Sequence, residues 1–111
     1  GLTVTTAPVN HNPESIAVWI DEKRSVTFSG DTDVSANLLR LADATDTLVA
    51  ECAFPERKVK GHLNFAALDR IVRKAEPKRV ILTHLYPDWD DWTGVLHAPY
   101  LLGEDGMEME V

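Results

Sequence analysis

An α/β fold built on a mixed sheet is what this sequence predicts, and three observations carry the prediction. Short runs rich in Val, Ile, Thr and Trp alternate with segments whose apolar residues recur at three- and four-residue intervals. No internal repeat or low-complexity tract interrupts that alternation. With 44% hydrophobic residues in 111, the chain lies in the size range of one compact domain with a modest core.

Leu2 to Pro8 and Ser15 to Ile20 read as strands, and Ser25 to Phe28 follows the polar turn Asp21-Glu22-Lys23-Arg24, so the last two should pair as a hairpin. After Gly30, Val34 to Ala42 places Leu38, Leu39 and Leu41 at helix-compatible positions, with Asp33 or Ser35 available to accept from the free N–H groups at its start. Thr47 to Ala50 is a short strand ended by Phe54-Pro55, because proline removes a donor and fixes φ. Phe65, Leu68, Ile71, Val72 and Ala75 then mark an amphipathic helix over Asn64 to Glu76, capped by Asn64 and stopped by Pro77. Arg79 to Leu82 is a brief strand. Tyr86 to Gly106, with Pro87, Pro99 and several acidic residues, is expected to be loop, and Met107 to Val111 to close the sheet as an edge strand.

The formal charge of -7 argues against a whole-surface nucleic-acid binder, since phosphate affinity rests largely on Lys and Arg releasing counterions. Arg57, Lys58 and Lys60 form the one candidate basic patch, and a solvated loop is the expected reading of it. Cys52, the single cysteine, sits among apolar neighbours and suits a buried structural thiol in a reducing compartment, so a cytoplasmic location is expected. No stretch is long and apolar enough to span a bilayer, so no membrane partner is expected. The chain opens on Gly1 and enters a strand at once, from which we expect a piece of something longer.

Asp31 follows the strand ending in Phe28, and His84 follows Val80-Ile81-Leu82-Thr83. Each therefore stands at the carboxyl end of a strand, where open α/β sheets place their ligand sites. Gly30 would let the backbone turn sharply before Asp31, whose two carboxylate oxygens can bridge two cations. His84 offers an imidazole nitrogen, a common zinc ligand. Taken singly, Asp31 also fits a turn, His84 a structural histidine and His11 an ordinary loop. His97 matches no chemistry and is expected at the surface. Trp19 is expected in the core, and Trp89 and Trp92 over the open end of the sheet.

Four elements in order, Thr27-Phe28-Ser29-Gly30-Asp31-Thr32, Ala50-Glu51-Cys52-Ala53-Phe54, Gly61-His62-Leu63-Asn64 and Val80 to Pro87 with its Leu82-Thr83-His84, resemble the metallo-β-lactamase superfamily and, within it, the RNase Z and related phosphodiesterase branch. The resemblance covers roughly residues 5 to 110. It implies that His11 completes the first metal's histidines, Asp31 bridges both metals as a ligand and catalytic residue, and His84 binds the second. His62 would be the catalytic proton donor to the leaving alkoxide, a task an imidazole can perform near neutral pH. Glu51 would orient a ligand histidine from behind. The implied cofactors are two divalent ions, zinc first with iron or manganese as alternatives, and the implied reaction is hydrolysis of a phosphodiester, or a related ester, by metal-bound hydroxide.

The His-x-His-x-Asp-His motif of that family's N-terminal half is absent, as is any His-x-His. His62 is followed by Leu63-Asn64 where tRNA-processing members carry Ser-Thr, and the Gly-Tyr usual after the position of His11 is missing too. One private ligand per metal plus a bridge falls short of the four donors a zinc ion takes. The resemblance thus implies the C-terminal half of an αββα sandwich across residues 1–111, inactive alone. The implied partner is a missing N-terminal half or a second chain that supplies the remaining ligands. The exposed apolar sheet face would favour self-association into a homo-oligomer. The expected substrate is an RNA 3′ end or a small phosphodiester, with the acidic balance favouring the small one. The competing expectation is a non-catalytic α/β domain that keeps the fold and binds or assembles without a complete metal site.

Overall fold

The computed structural model describes residues 1–111. Six strands form one sheet in chain order: β1 (Thr3–Pro8), β2 (Ile16–Asp21), β3 (Ser25–Phe28), β4 (Thr47–Glu51), β5 (Arg79–Thr83) and β6 (Tyr100–Leu102). β1 to β3 form an antiparallel meander in which Asp21 faces Ser25 across the predicted hairpin, and β3 to β6 run parallel. Helix α1 (Ala36–Ala42) connects β3 to β4 and α2 (Phe65–Ala75) connects β4 to β5. Parallel connections keep one hand, so crossovers stepping the same way along a sheet leave their helices on one face. The two helices accordingly pack against each other.

The sequence explains both helix boundaries. Of the two candidate caps for α1, Ser35 performs the task, its side chain accepting from the Leu38 N–H at 3.2 Å. Asp33 is directed elsewhere, as described below. Asn64 caps α2 by accepting from the Ala67 N–H at 2.9 Å. Glu76 ends it in the left-handed conformation with its N–H on Val72 O, and Pro77 follows. Leu68, Ile71, Val72 and Ala75 of the expected stripe are buried, together with Ala67, while Phe65 at the start of the helix is half-buried.

Strand alternation divides the sheet into two unlike faces. Trp19, Thr27, Leu48, Val80 and Tyr100 stand side by side across β2 to β6 on the helix-covered face. Leu48, Val80 and Thr27 there are fully buried, and Trp19 packs on the core while only half-buried. The next row, Val18, Phe28, Val49, Ile81 and Leu101, lies on the opposite face, where Phe28 is 42% and Leu101 41% exposed. Val26, Phe28, Val49 and Ile81 line a trough of about 940 Å³ on that side.

The C-terminal stretch departs from expectation. The edge strand is β6, inside the segment predicted to be loop, and Met107 to Val111 forms no strand. β6 is held by the bonds Val80 N to Pro99 O and Gly103 N to Leu82 O, both 2.8 Å, while Tyr100 packs on Phe65 and donates its hydroxyl to Asp69. Burial and pairing of one aromatic thus outweigh the flanking proline. Met107, Met109 and Val111 lie along the trough, and Glu110 O accepts from Arg79 Nη2. No helix is long and apolar enough to cross a membrane. Cys52 is buried, and burial, with a smaller contribution from the charge of Glu51, pushes its thiol up to about 12.

Candidate metal centre

The carboxyl ends of β3, β4 and β5 converge, and each is finished by a local device that presents a side chain. After β3 the ladder continues through Ser29 N to Val49 O, and the chain then turns at Gly30, φ +60. A Cβ at Gly30 would lie 2.6 Å from the carbonyl oxygen of Ile16, so a close approach to β2 and a left-handed φ both demand glycine. Asp31 emerges from this turn half-exposed. Thr32, fully buried, pins the turn to the loop of His11: its Oγ1 accepts from the Asn10 N–H at 3.2 Å, and the Asp33 N–H donates back to Asn10 O at 2.8 Å. That pairing sets His11 beside the Asp31 turn, although 19 residues of intervening chain separate them.

β4 ends in Glu51, 1% exposed, a buried carboxylate that needs donors to offset its lost hydration. It accepts from the Thr32 N–H at 3.0 Å, the Leu63 N–H at 3.3 Å and His62 Nδ1 at 2.8 Å. β5 is followed at once by His84, which adopts a left-handed φ of 57°. Histidine tolerates that region better than most residues, and strain of this kind collects where a side chain must be aimed.

The imidazole tautomers follow from the partners. A carbonyl only accepts, so the 2.9 Å contact of His11 Nδ1 with Gly61 O places the proton on Nδ1 and leaves Nε2 as the lone-pair nitrogen of the neutral ring. The contact with Glu51 likewise places a proton on Nδ1 of His62 and leaves its Nε2 free. The His62 ring lies between the other two, its centroid 5.1 Å from that of His11 and 5.3 Å from that of His84. His84 Nε2 is 3.8 Å from Asp31 Oδ1, too long for a hydrogen bond. One cation could span that gap, since two zinc-type bonds of about 2.0–2.2 Å reach across as much as about 4.2 Å.

Glu51, His62 and His84 also approach one another within 4.8 Å, as a metal-binding trio would. Both oxygens of Glu51 are already taken by N–H donors, so its chemistry is that of an orienting group. The ring it orients is His62, the expected proton donor, whereas the sequence suggested a ligand histidine. His11, Asp31 and His84 are all exposed and supply three donors, a set whose chemistry fits a divalent cation but leaves coordination positions to be filled. His62, at 15% side-chain exposure, is withdrawn behind them.

Several contributors escaped the sequence reading. Tyr86 stands edge-on to His84 with centroids 5.3 Å apart and 5.8 Å from His62; the spacing Thr83-His84-Leu85-Tyr86 was the available signal. Asp33, Lys58 and Gly61 form a linked group beside His11. Burial pulls the Asp33 carboxyl upward, but bonds from Lys58 and from the Gly61 and Val34 N–H groups outweigh it and hold the group below the usual carboxylate range. The expectations for His97 and for Trp89 and Trp92 agree with the structure. His97 and the pair Asp90–Asp91 are exposed, and Trp89 is buried over the end of β4 with Nε1 on Cys52 O at 2.8 Å, stacked edge-on with Trp92.

Comparison with known proteins agrees with this architecture. The family described as "Beta-lactamase superfamily domain" matches residues 1–85. Ribonuclease Z of Brevibacillus brevis is 33% identical over 86 residues, 73% of this chain and 27% of that protein. The metallo-beta-lactamase fold protein YhfI of Bacillus subtilis superimposes on 77% of the chain with TM-score 0.71 and 25% identity, using 37% of its own length. Human tRNase Z, short form, covers 96% with TM-score 0.76 and 21% identity, using 42% of its length. The chain thus spans between 27% and 42% of the length of these relatives. By sequence and by fold, this chain belongs to the beta-lactamase superfamily, with the metallo-β-lactamase fold and similarity to ribonuclease Z.

Proposed function

We propose that this chain is the C-terminal half of a binuclear-metal phosphodiesterase, with His11, Asp31 and His84 as metal donors and His62 as proton donor. The observation that carries the proposal is the convergence of these four side chains at the carboxyl ends of parallel strands, with Nε2 of His11 and His62 freed by the partners of Nδ1. Bound divalent ions, zinc first and iron or manganese as alternatives, would supply positive charge against the phosphoryl oxygens and acidify an attacking water. The remaining donors come from an N-terminal half or a partner chain.

The chain's own residues account for the proton. The leaving alkoxide must gain one as its bond to phosphorus breaks, and in this reading Nε2 of His62 would give it. Glu51 fixes the ring by accepting from Nδ1, which leaves Nε2 as the nitrogen through which the proton would pass. Substrate size follows from charge. Of the three basic residues near the centre, Arg57 is bonded to Asp88 and Lys58 to Asp33, and the net charge is -7, so a small phosphodiester suits this half better than a polyanionic strand.

Turnover of an activated phosphodiester by the intact protein tests this reading. His84→Ala should lower it by orders of magnitude, and His62→Ala should lower it while metal content is retained. Unchanged turnover and metal content in His84→Ala would remove the assignment, and the absence of any metal-dependent turnover in the parent protein would favour a binding or assembly domain.

A further inference from the structure

The candidate centre is assembled from loops far apart in the chain, and Lys58 ties two of them, its own loop and the turn that carries Asp33. Its Nζ lies 2.9 Å from each carboxylate oxygen of Asp33 and donates to the carbonyls of Val59 at 3.0 Å and His62 at 2.6 Å. An ammonium has three hydrogens to donate, and all three are used here. Asp33 Oδ2 also accepts the Gly61 N–H at 2.9 Å, and Gly61 O is the acceptor for His11 Nδ1. Gly61 has φ +88, and a Cβ there would come within 3.3 Å of His11 Nδ1, so the strand of backbone is pressed against that ring. A lone exposed ion pair contributes little to stability. The arrangement of bonds is what distinguishes this one: the carboxylate holds the Gly61 N–H and the ammonium holds the carbonyls of Val59 and His62, so the backbone is fixed on either side of the Gly61 carbonyl on which His11 leans.

We propose that Lys58 and Asp33 are positioning residues that clamp the loop from Arg57 to His62 onto the turn from Gly30 to Asp33, fixing the spacing of His11 and His62. The proposal rests on the hydrolase reading for its effect on turnover, and on the contacts alone for the clamp. Neither residue needs to touch substrate.

The test is a double-mutant cycle of Lys58→Met and Asp33→Asn in the intact protein, with kcat and KM measured on an activated phosphodiester. Amide hydrogen exchange at Gly61 and His62 is followed in parallel on the metal-free protein. Each single variant should lower kcat about 10–100-fold, the range seen when a group behind a site residue is lost. KM should change by no more than about twofold, and the double variant should be no worse than the poorer single one. Lys58→Arg, which keeps charge and donors, should recover part of the loss. Exchange at the Gly61 amide should accelerate at least about tenfold while α2 and the central strands keep their protection. Additive losses, or faster exchange with kcat unchanged, would overturn the positioning role. A parent protein without turnover would remove the hydrolase reading alone; the clamp would then be upheld by accelerated exchange and overturned by unaltered exchange.

Discussion

The two ends of the parallel strands both carry a carboxylate in a polar network, and they are finished differently. At the amino end, Asp46 accepts from the Ser25 N–H at 2.8 Å and pairs with Lys78 at 3.0 Å, while Ser25 Oγ in turn accepts from Asp46 N and from Thr45 Oγ1. These partners close the network on itself and stitch β3 to the start of β4. At the carboxyl end, Glu51 is just as fully satisfied, yet the groups around it are not. Nε2 of His11, Nε2 of His62 and the Asp31 carboxylate have no hydrogen-bonding partner within the chain, and His84 Nε2 stops 3.8 Å from Asp31. A network that ends in its own partners stabilises a fold. One that ends in outward-turned donors is arranged for something that arrives from outside.

The contrast can be broken at either end. Glu51→Gln is expected to have the larger effect, because one amide cannot accept from two backbone N–H groups and an imidazole as a carboxylate does. It should destabilise the fold by about 1–3 kcal/mol through a buried donor left unpaired. It should also reduce turnover of the intact protein by about 10–100-fold by releasing His62. Thermal melts and kcat measured on one preparation check both, and a loss of stability alone would move Glu51 to the structural side of the comparison. Asp46→Asn should have the smaller effect and leave turnover unchanged. The Ser25 N–H, then Lys78, hold the Asp46 carboxyl down to about 2 from its ordinary 3.8. A depressed carboxyl stabilises the fold above its unfolded value, and that contribution disappears as pH falls from about 3.8 through about 2. Denaturant melts of the two proteins should therefore differ near neutral pH and converge in that acidic window.

How much of this was legible in the sequence depended on the range of the interactions. The five apolar positions of α2 and its Asn64 cap are local signals, and they mark the helix to within a residue. β6 was missed because Tyr-Leu-Leu is too short to show a period, and its strand character comes from β5 beside it and from Tyr100 packing on Phe65. In the site, Gly30-Asp31 and Thr83-His84 announced themselves by following apolar runs. Which oxygen or nitrogen each group would keep free was not visible. That is decided by Gly61 O for His11 and by Glu51 for His62, contacts that span 50 and 11 residues. The Lys58–Asp33 pair spans 25 residues, and the sequence showed Lys58 only as part of a solvated basic loop and Asp33 only as a candidate helix cap.

The most direct measurement is the metal content of this purified chain after exhaustive dialysis, by elemental mass spectrometry. Three exposed donors without the rest of a coordination sphere predict a value near zero or a loosely held fraction of one ion per chain. Two tightly held ions per chain would contradict the account, because the missing ligands would then have to come from these 111 residues or a second copy of them.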